Sequence, residues 1–187
     1  MKKLILSVFA LAAIALSANA VETVSVQGTA TLQSQITLSD VITDAGLSGA
    51  VGGKLQFGRI GIGTTASTVI VNPATGARTS SGTVSITSND LAVSAAGYAV
   101  SGGNSMTYAL TVPTSATLSL SGATDLTISS MKVYGKNAGA TVDAGSIAYT
   151  LSAAGKDAFA IGGTLEIPSN ATAGAYVGNF DVTVAYN

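Results

Sequence analysis

The sequence has no cysteine, no histidine and no tryptophan among its 187 residues, and it has only three prolines. Without cysteine and histidine a chain cannot build serine–histidine or cysteine–histidine nucleophile systems, thiolate chemistry, or the usual zinc, copper, haem and iron–sulfur ligand sets. Carboxylates, lysine, tyrosine and serine are left to carry any reaction. We therefore expect a protein that is not an enzyme and that binds no metal or cofactor.

Charge is also scarce, since Asp, Glu, Lys and Arg together make up 9% of the chain. Eight basic residues stand against nine acidic residues, and they form no cluster. A nucleic-acid-binding surface needs a basic face that neutralises phosphates, and binding to anionic lipid needs a group of Lys and Arg. We therefore expect neither nucleic acid nor a charged membrane surface as a partner.

The first twenty residues have the pattern of a secretory signal peptide. Lys2 and Lys3 precede an uncharged apolar stretch over 4–16, and Ala18 and Ala20 supply the small residues that a signal peptidase recognises. A transmembrane anchor is the alternative, but this stretch is shorter than the roughly 20 residues that cross a bilayer. We expect residues 1–20 to be removed, and residues 21–187 to form one exported domain in the periplasm, at the cell surface or in the medium.

Apolar and polar residues alternate over one short segment after another in the rest of the chain, and this is the period of a β-strand. The clearest alternation predicts a C-terminal core strand that contains Tyr176, Phe180, Val182, Val184 and Tyr186. The other alternating apolar residues that we place in strands are Val24, Val26, Ala30, Leu32, Leu55, Phe57, Val69, Val71, Val84, Ile86, Met106, Tyr108, Leu110, Val112, Leu118, Leu120, Leu126, Ile128, Ile147, Tyr149, Leu151, Phe159 and Ile161.

About ten such strands, separated by turns rich in Gly, Asn, Ser and Pro, predict an all-β fold. We expect an antiparallel, immunoglobulin-like β-sandwich with one core. A closed β-barrel is the alternative, because both architectures need strands with one buried and one exposed face. The segment 43–53 contains several Gly and Ala residues and is predicted to be a loop.

The candidate chemical groups are better explained by structural roles. Glycoside hydrolysis needs two suitably separated carboxylates, but the acidic residues are scattered beside turns or on the polar faces of strands. The residues considered are Asp40, Asp44, Asp90, Asp125, Asp143, Asp157, Glu166 and Asp181. The glycines of segment 57–63 are not followed by a helix or a Lys-Ser/Thr pair, so they do not predict a phosphate-binding loop. Lys132 and Lys136 flank Tyr134 on what we expect to be a solvated strand face.

Five segments in order resemble a family of secreted bacterial proteins named domain of unknown function 4402. The segments are Phe57-Gly58-Arg59-Ile60, residues 69–82 with the sequence VIVNPATGARTSSG, Tyr108-Ala109-Leu110-Thr111-Val112-Pro113, Ile161-Gly162-Gly163-Thr164-Leu165, and residues 173–187 with the sequence AGAYVGNFDVTVAYN. This resemblance covers most of the chain from about residue 55 to the end. It implies an exported β-protein and leaves the activity open.

The chain also resembles, more loosely, the subunits of chaperone-usher fimbriae. They share a signal peptide, an all-β sandwich and a C-terminal strand with a penultimate tyrosine, here Tyr186. The resemblance implies that residues 21–33 are a donor strand that completes the sheet of another subunit, through Val24, Val26, Gly28, Ala30 and Leu32. In the alternative interpretation, residues 21–33 are the first edge strand of a self-contained domain. Many fimbrial subunits hold a disulfide, which this chain cannot form.

We therefore expect an exported structural or adhesive protein, of fimbrial type, whose partners are other copies, similar subunits and a periplasmic chaperone. The alternative is a secreted module that binds a ligand such as a glycan through its loops. Glycan-binding sites usually have aromatic platforms, and in a chain without tryptophan only exposed tyrosines such as Tyr98 or Tyr134 could serve.

Overall fold

The computed structural model describes residues 21–25, 37–39, 47–86 and 91–187. These ranges contain sixteen β-strands and no helix, so the all-β prediction is confirmed. The count exceeds the predicted ten or so because several strands are only two or three residues long. The strands are Val21–Ser25 (β1), Thr37–Ser39 (β2), Ala50–Gly52 (β3), Gln56–Phe57 (β4), Ile60–Gly61 (β5), Ser67–Val71 (β6), Arg78–Ser81 (β7), Ser85–Ile86 (β8), Val93–Ser101 (β9), Thr107–Thr111 (β10), Ala116–Leu118 (β11), Leu126–Gly135 (β12), Ala140–Asp143 (β13), Ser146–Thr150 (β14), Lys156–Ile167 (β15) and Asp181–Tyr186 (β16).

Two sheets hold most of these strands. A four-stranded antiparallel sheet has the order β1-β16-β10-β14. The larger sheet is built around the long strand β15, which pairs with β12 on one side and with β9 and then β6 on the other. β9 in turn pairs with β2, β3 and β4, and β6 pairs with β7. Strands β5 and β8 form a separate pair.

The C-terminal segment joins the two sheets. β16 pairs with β10, where Thr111 lies opposite Thr183. After Val112 and Pro113 the chain continues into β11, which belongs to the larger sheet, and Ser119 then pairs with Val177. Residues 177–186 therefore lie beside β10 at one end and beside β11 at the other.

One hydrophobic core lies between the sheets, and alternation explains how the strands fill it. Along β6, β10 and β16, every second side chain is buried and those between are less buried. Each fully buried Val, Leu or Ile side chain contributes roughly 1.5–3 kcal/mol relative to an exposed one. The buried residues on these strands are Val69, Val71, Tyr108, Leu110, Val182 and Val184.

A bulge changes which face of β12 is buried. The register of β12 against β15 shifts between Ser129 and Lys132, and Ser130 adopts a left-handed conformation with φ of 47°. An extra residue in one strand reverses the orientation of the side chains that follow it. The buried side chains of β12 accordingly change from even to odd positions, in the order Leu126, Ile128, Met131 and Val133.

Strand β9 departs from alternation because it is covered on both faces. Residues 94–98 are all buried, so side chains on both faces of β9 are shielded from solvent, while its two edges pair with β15 and with β2, β3 and β4. The predicted loop over 43–53 is wrong in part, since residues 50–52 form β3. This strand pairs with β9 in parallel rather than antiparallel. β3 and the facing part of β9 consist mostly of small side chains, so apolar and polar residues do not alternate there and the pairing could not be predicted from the sequence.

Two residues assigned to the core by alternation are exposed instead. Met106 is 48% exposed and Ile86 is 37% exposed. Met106 precedes the first residue of β10, and Ile86 is the last residue of β8. Each therefore lies at the margin of a strand, where alternation does not predict burial.

Candidate functional site

A buried polar cluster lies at one end of the two sheets. Asp157, predicted to lie in a turn or at the surface, is only 6% exposed. Its carboxyl group accepts hydrogen bonds from the hydroxyl of Tyr108 (2.9 Å) and from the backbone N–H groups of Asn137 (3.1 Å) and Ala158 (2.7 Å). The surface prediction was therefore wrong, because β10 and the turn after β12 supply the donors that a buried carboxyl group requires.

Asn137 extends the same cluster to both sheets. Its side-chain Nδ2 donates to the backbone oxygen of Thr150 (3.2 Å) and to that of Lys156 (2.9 Å). Thr150 ends β14 of the four-stranded sheet, and Lys156 begins β15 of the larger sheet. The amide therefore ties the two sheets together at this end.

Tyr108 and Tyr149 complete the cluster, and the centroids of their rings are 6.0 Å apart. Burial raises the pKa of Tyr108, and the neighbouring Asp157 raises it further; burial and Asp157 also raise the pKa of Tyr149. Both hydroxyls therefore stay protonated at neutral pH, which suits a hydrogen-bond donor and not a base or a nucleophile.

An apolar groove of about 640 Å³ lies at the other end, near the end of β15 that is remote from Asp157. Leu126, Leu165 and Ile167 form its floor, and all three are buried. Segments 55–60 and 171–178 also line it. The side chains that line the groove are mainly apolar and can pack against an apolar partner. Among the described residues, we consider this groove as the candidate functional site.

Exposed apolar side chains lie on the rim of this groove. Ile62 is 44% exposed, Leu91 58% and Val177 63%, and all three line the groove. Single exposed apolar residues are normal on protein surfaces, but several around one groove are typical of an interaction site. Arg59 is the charged residue in the lining, and the other lining residues are uncharged.

Arg78 holds one wall of the groove in place. Its Nη1 donates to the backbone oxygens of Phe57 (2.7 Å) and Arg59 (3.0 Å). Gly58 lies between these two acceptors with φ of 70°, and a Cβ atom there would meet Nη1 at 2.7 Å. The wall can take this shape because glycine adopts a left-handed conformation without steric cost.

The predicted C-terminal residues lie in the core and beside the groove. Phe180, Val182 and Val184 are buried, whereas Tyr176 and Tyr186 are partly buried. The hydroxyl of Tyr176 donates to the backbone oxygen of Thr172 (3.0 Å), and the hydroxyl of Tyr186 accepts a hydrogen bond from the N–H of Gly103 (2.6 Å).

The predicted N-terminal residues are only partly within the described ranges. Val24 belongs to β1 and lies opposite Val182 of β16. β1 is the edge strand of its sheet, with β16 as its neighbour. Val26, Gly28, Ala30 and Leu32 lie outside the described residues.

The aromatic platforms considered for a glycan do not form an exposed site. Tyr98 is fully buried and stacks on Phe159 with 5.3 Å between ring centroids, so the expectation that it is exposed was wrong. Tyr134 is half-buried. Lys132, which was grouped with it, forms an ion pair with Asp143 on the exposed face of β12 and β13.

Residue types alone could not reveal the buried cluster. Tyr108 and Asp157 are 49 positions apart, and nothing in the sequence around either residue predicts their contact. In the described ranges, His, Cys, Asp and Glu form no group of three or more that could hold a metal ion. The same ranges contain no helix that is long and apolar enough to cross a membrane.

These observations define an all-β protein with a buried structural polar cluster and an open apolar groove. A family model described as "Domain of unknown function (DUF4402)" matches residues 47–186, so the chain belongs to this family, and the resemblance noted in the sequence is confirmed. No curated protein matches the chain, and no solved structure does. The matched segment contains both the polar cluster and the lining of the groove.

Proposed function

We propose that this protein is an exported, non-enzymatic structural or adhesive protein of the bacterial periplasm or cell surface, and that it assembles with other copies through its N-terminal strand. The observation that carries the proposal is the place of β1, which lies at an edge of its sheet and is held there by β16. An edge strand can be exchanged between copies, because the same main-chain hydrogen bonds form in the exchanged pair.

The polar groups of the described residues support a structural role. The carboxyl group of Asp157 is occupied by three hydrogen-bond donors, and the raised pKa of Tyr108 keeps its hydroxyl protonated. A catalytic base or nucleophile would need an accessible, ionisable group instead. The open groove, by contrast, is lined mainly by side chains that pack against apolar partners.

The mass of the protein in solution tests this proposal. We expect the chain that begins at Val21 to form oligomers whose population rises with protein concentration and after mild heating. A chain that lacks residues 21–33 should not form these oligomers, and a synthetic peptide of residues 21–33 should bind to it. Sedimentation velocity measures the mass, and near-ultraviolet circular dichroism of the tyrosines reports whether the shortened chain is folded.

A full chain that stays strictly monomeric at high concentration and after heating would contradict the proposal. A peptide with the same composition in scrambled order is the control for binding. If the scrambled peptide binds equally well, apolar adhesion explains the result and strand addition does not.

A further inference from the structure

The four-stranded sheet ends in a strand edge that no described strand covers. β14 is the last strand of this sheet, and among the described strands it pairs with β10 alone. The pairing continues without a bulge from Thr111 and Ser146 to Thr107 and Thr150. β14 therefore has a second edge, directed away from β10, that is regular over the length of the strand.

The backbone groups of β14 alternate between β10 and this open edge. The C=O of Gly145, just before β14, accepts a hydrogen bond from the N–H of Val112 (2.9 Å). The N–H of Leu151, just after β14, donates to the C=O of Met106 (2.9 Å). Successive residues of a strand direct these groups to opposite sides, so the odd-numbered residues of β14 face β10. The even-numbered residues direct their N–H and C=O groups to the open edge.

Ser146 and Ala148 keep both backbone groups available on the open edge. The third even-numbered residue, Thr150, has its C=O hydrogen-bonded to Nδ2 of Asn137 (3.2 Å). This bond agrees with the outward direction of the even-numbered groups, and it occupies that end of the edge. No described strand pairs with Ser146 or Ala148 on this side.

β14 differs from the other described edge strands in lacking protection against pairing. Native proteins usually keep exposed edges short or place charged side chains or proline on them. β2, β3, β4, β5, β8 and β11 have only two or three residues each, and β1, β7 and β13 carry Glu22, Arg78 and Asp143. β14 has five residues with the sequence SIAYT, which contains neither a charge nor a proline. Its edge is therefore open to an added strand.

Apolar side chains that face the core are partly exposed on the same side of the molecule. Val142 of β13 lies opposite the fully buried Val133 and shares its face, yet Val142 is 37% exposed. Ile147 of β14 lies opposite the fully buried Leu110 and is itself only partly buried. β13 and β14 are both edge strands, so neither side chain is covered from the side. A strand added at β14 would bury apolar surface there.

The segments that are not described leave the structure at other strands. The described residues that flank these segments are Val21, Ser25, Thr37, Ser39, Leu47, Ile86 and Leu91. β1, which contains the first two, is at the opposite edge of the sheet from β14, and β2 and β3 pair with β9 of the other sheet. The open edge of β14 is therefore not next in line to any of these segments.

We infer that β14 pairs with β14 of a second copy of the chain, antiparallel and about a twofold axis at Ile147. Ser146 of each copy then exchanges main-chain hydrogen bonds with Ala148 of the other copy, and the two four-stranded sheets join into one. Because Thr150 is already bonded to Asn137, this register uses the two residues whose backbone groups are available. The contact involves no residue of the N-terminal strand, so it is independent of the proposed function.

The edge is self-complementary, which favours a second copy over an unrelated strand. Residues beside a twofold axis meet the same residues of the other copy, so a charge there would be repelled by its own counterpart. Residues 144–155 contain no charged side chain. On the outer face Ser146 lies beside Ala148 of the other copy, and both side chains are small and exposed.

Disulfide trapping tests the contact, because the chain has no cysteine of its own. In the inferred register Ile147 lies opposite Ile147 of the other copy, as a pair without mutual hydrogen bonds. The Cα atoms of such a pair are about 4.5 Å apart, and a disulfide can form. We expect the full-length Ile147→Cys protein to give a disulfide-linked dimer on oxidation. Near-ultraviolet circular dichroism of the tyrosines reports whether the variant is folded.

Ala153→Cys is the matched control, because Ala153 is exposed in the turn after β14 and lies outside the paired segment. Random collision would favour the more exposed thiol of this control. At equal protein concentration, the Ile147→Cys protein should nevertheless yield several-fold more dimer on a non-reducing gel. Equal yields, or more dimer from the control, would overturn the inference.

Ala148→Lys tests the contact without a disulfide. Lysine is a common residue on exposed edges and Ala148 is exposed, so the fold should be kept, but in the dimer the two lysines would lie close together. We expect the dissociation constant of the dimer to rise by roughly tenfold or more. Sedimentation velocity over a range of concentrations measures this constant. Thr107→Lys is the control, since Thr107 is exposed on β10, one strand away from the edge, and should leave the dimer unchanged.

Ala148→Lys also separates this inference from the proposed function. Oligomers that form equally well in the unmodified protein and in Ala148→Lys would show that the edge of β14 is not an interface, and the inference would be wrong. Such oligomers would leave the proposed function intact, because that assembly depends on residues 21–33 and β14 contains none of them.

Discussion

The hydroxyl group of Tyr108 on β10 links the two sheets at one end, where it donates to the carboxyl group of Asp157 on β15. Tyr108→Phe leaves that buried group with one donor fewer. We expect the free energy of unfolding to fall by about 1.5–3 kcal/mol, because a hydrogen bond to a charged group is among the stronger kind. Urea unfolding followed by circular dichroism measures the change.

Tyr149→Phe is the matched control for this prediction. Among the described groups, the buried hydroxyl of Tyr149 has no hydrogen-bond partner, so its removal should change stability little. Both variants lose one oxygen atom from a buried ring. Equal losses of stability in the two variants would show that the Tyr108–Asp157 hydrogen bond makes no measurable contribution to the free energy of unfolding.

The residue scale is also where prediction from the sequence was least successful. Asp157 follows a turn at Gly155, and such a position is typical of an exposed acidic residue. Tyr98 lies among small residues in which apolar and polar side chains do not alternate, so the neighbouring sequence did not predict that it is buried. Both residues are buried by strands that are distant in the sequence. Their surroundings depend on the sheet topology, which local patterns do not determine.

At the scale of a single strand, the bulge in β12 makes a prediction about Ser130. Its φ of 47° is in the left-handed region, where a β-branched side chain is strained. We expect Ser130→Val to lower the free energy of unfolding by about 1–3 kcal/mol. Ser130→Gly should leave it unchanged or raise it slightly. Thermal or urea unfolding distinguishes the two outcomes.

Thr127→Val is the control for Ser130→Val, since Thr127 is exposed on the same strand in the regular register opposite Glu166. In Thr127→Val one β-branched residue replaces another at a position with regular strand conformation, so the backbone strain does not change. If Ser130→Val and Thr127→Val have the same stability, the left-handed conformation does not constrain the choice of residue at the bulge.

Whether a strand could be predicted depends on how many of its faces are covered. β6, β10 and β16 each have one buried face, so alternation identifies them and their inward residues such as Val69 and Leu110. β9 is covered on both faces, and β12 changes face at Ser130, so neither gives a simple period of two. The groove is lined by segments 55–60 and 171–178, which are far apart in the sequence. Only the sheet topology brings these two segments together.

The whole molecule should have a simple dependence on pH. The chain has no histidine and no cysteine, so few side chains titrate between about pH 6 and pH 9. The pKa values of Tyr108 and Tyr149 are raised above the ordinary value of 10.0. Above that pH the unfolded chain loses protons that the native protein keeps, so the stability that these protonated groups provide decreases as pH rises.

We therefore expect the free energy of unfolding to be nearly constant from about pH 6 to pH 9 and to fall above about pH 10. Tyr108→Phe should make the fall at alkaline pH shallower, because one of the two shifted groups is gone. Urea unfolding midpoints over this range measure the effect. An alkaline slope that is identical in the variant and the unmodified protein would contradict the assignment to Tyr108.

The orientation of β1 on β16 determines how this protein responds to mechanical tension. The strands are antiparallel, with Val21 opposite Ala185 and Ser25 opposite Asp181. A pull on Val21 against the end of β16 at Tyr186 separates the ladder one pair at a time, like a zipper. A pull that enters at the Ser25 end of the strand acts along it and loads all its pairs together in shear. A strand donated by another copy would be loaded from that end, so a link between copies would resist force better than the same strand in a single chain.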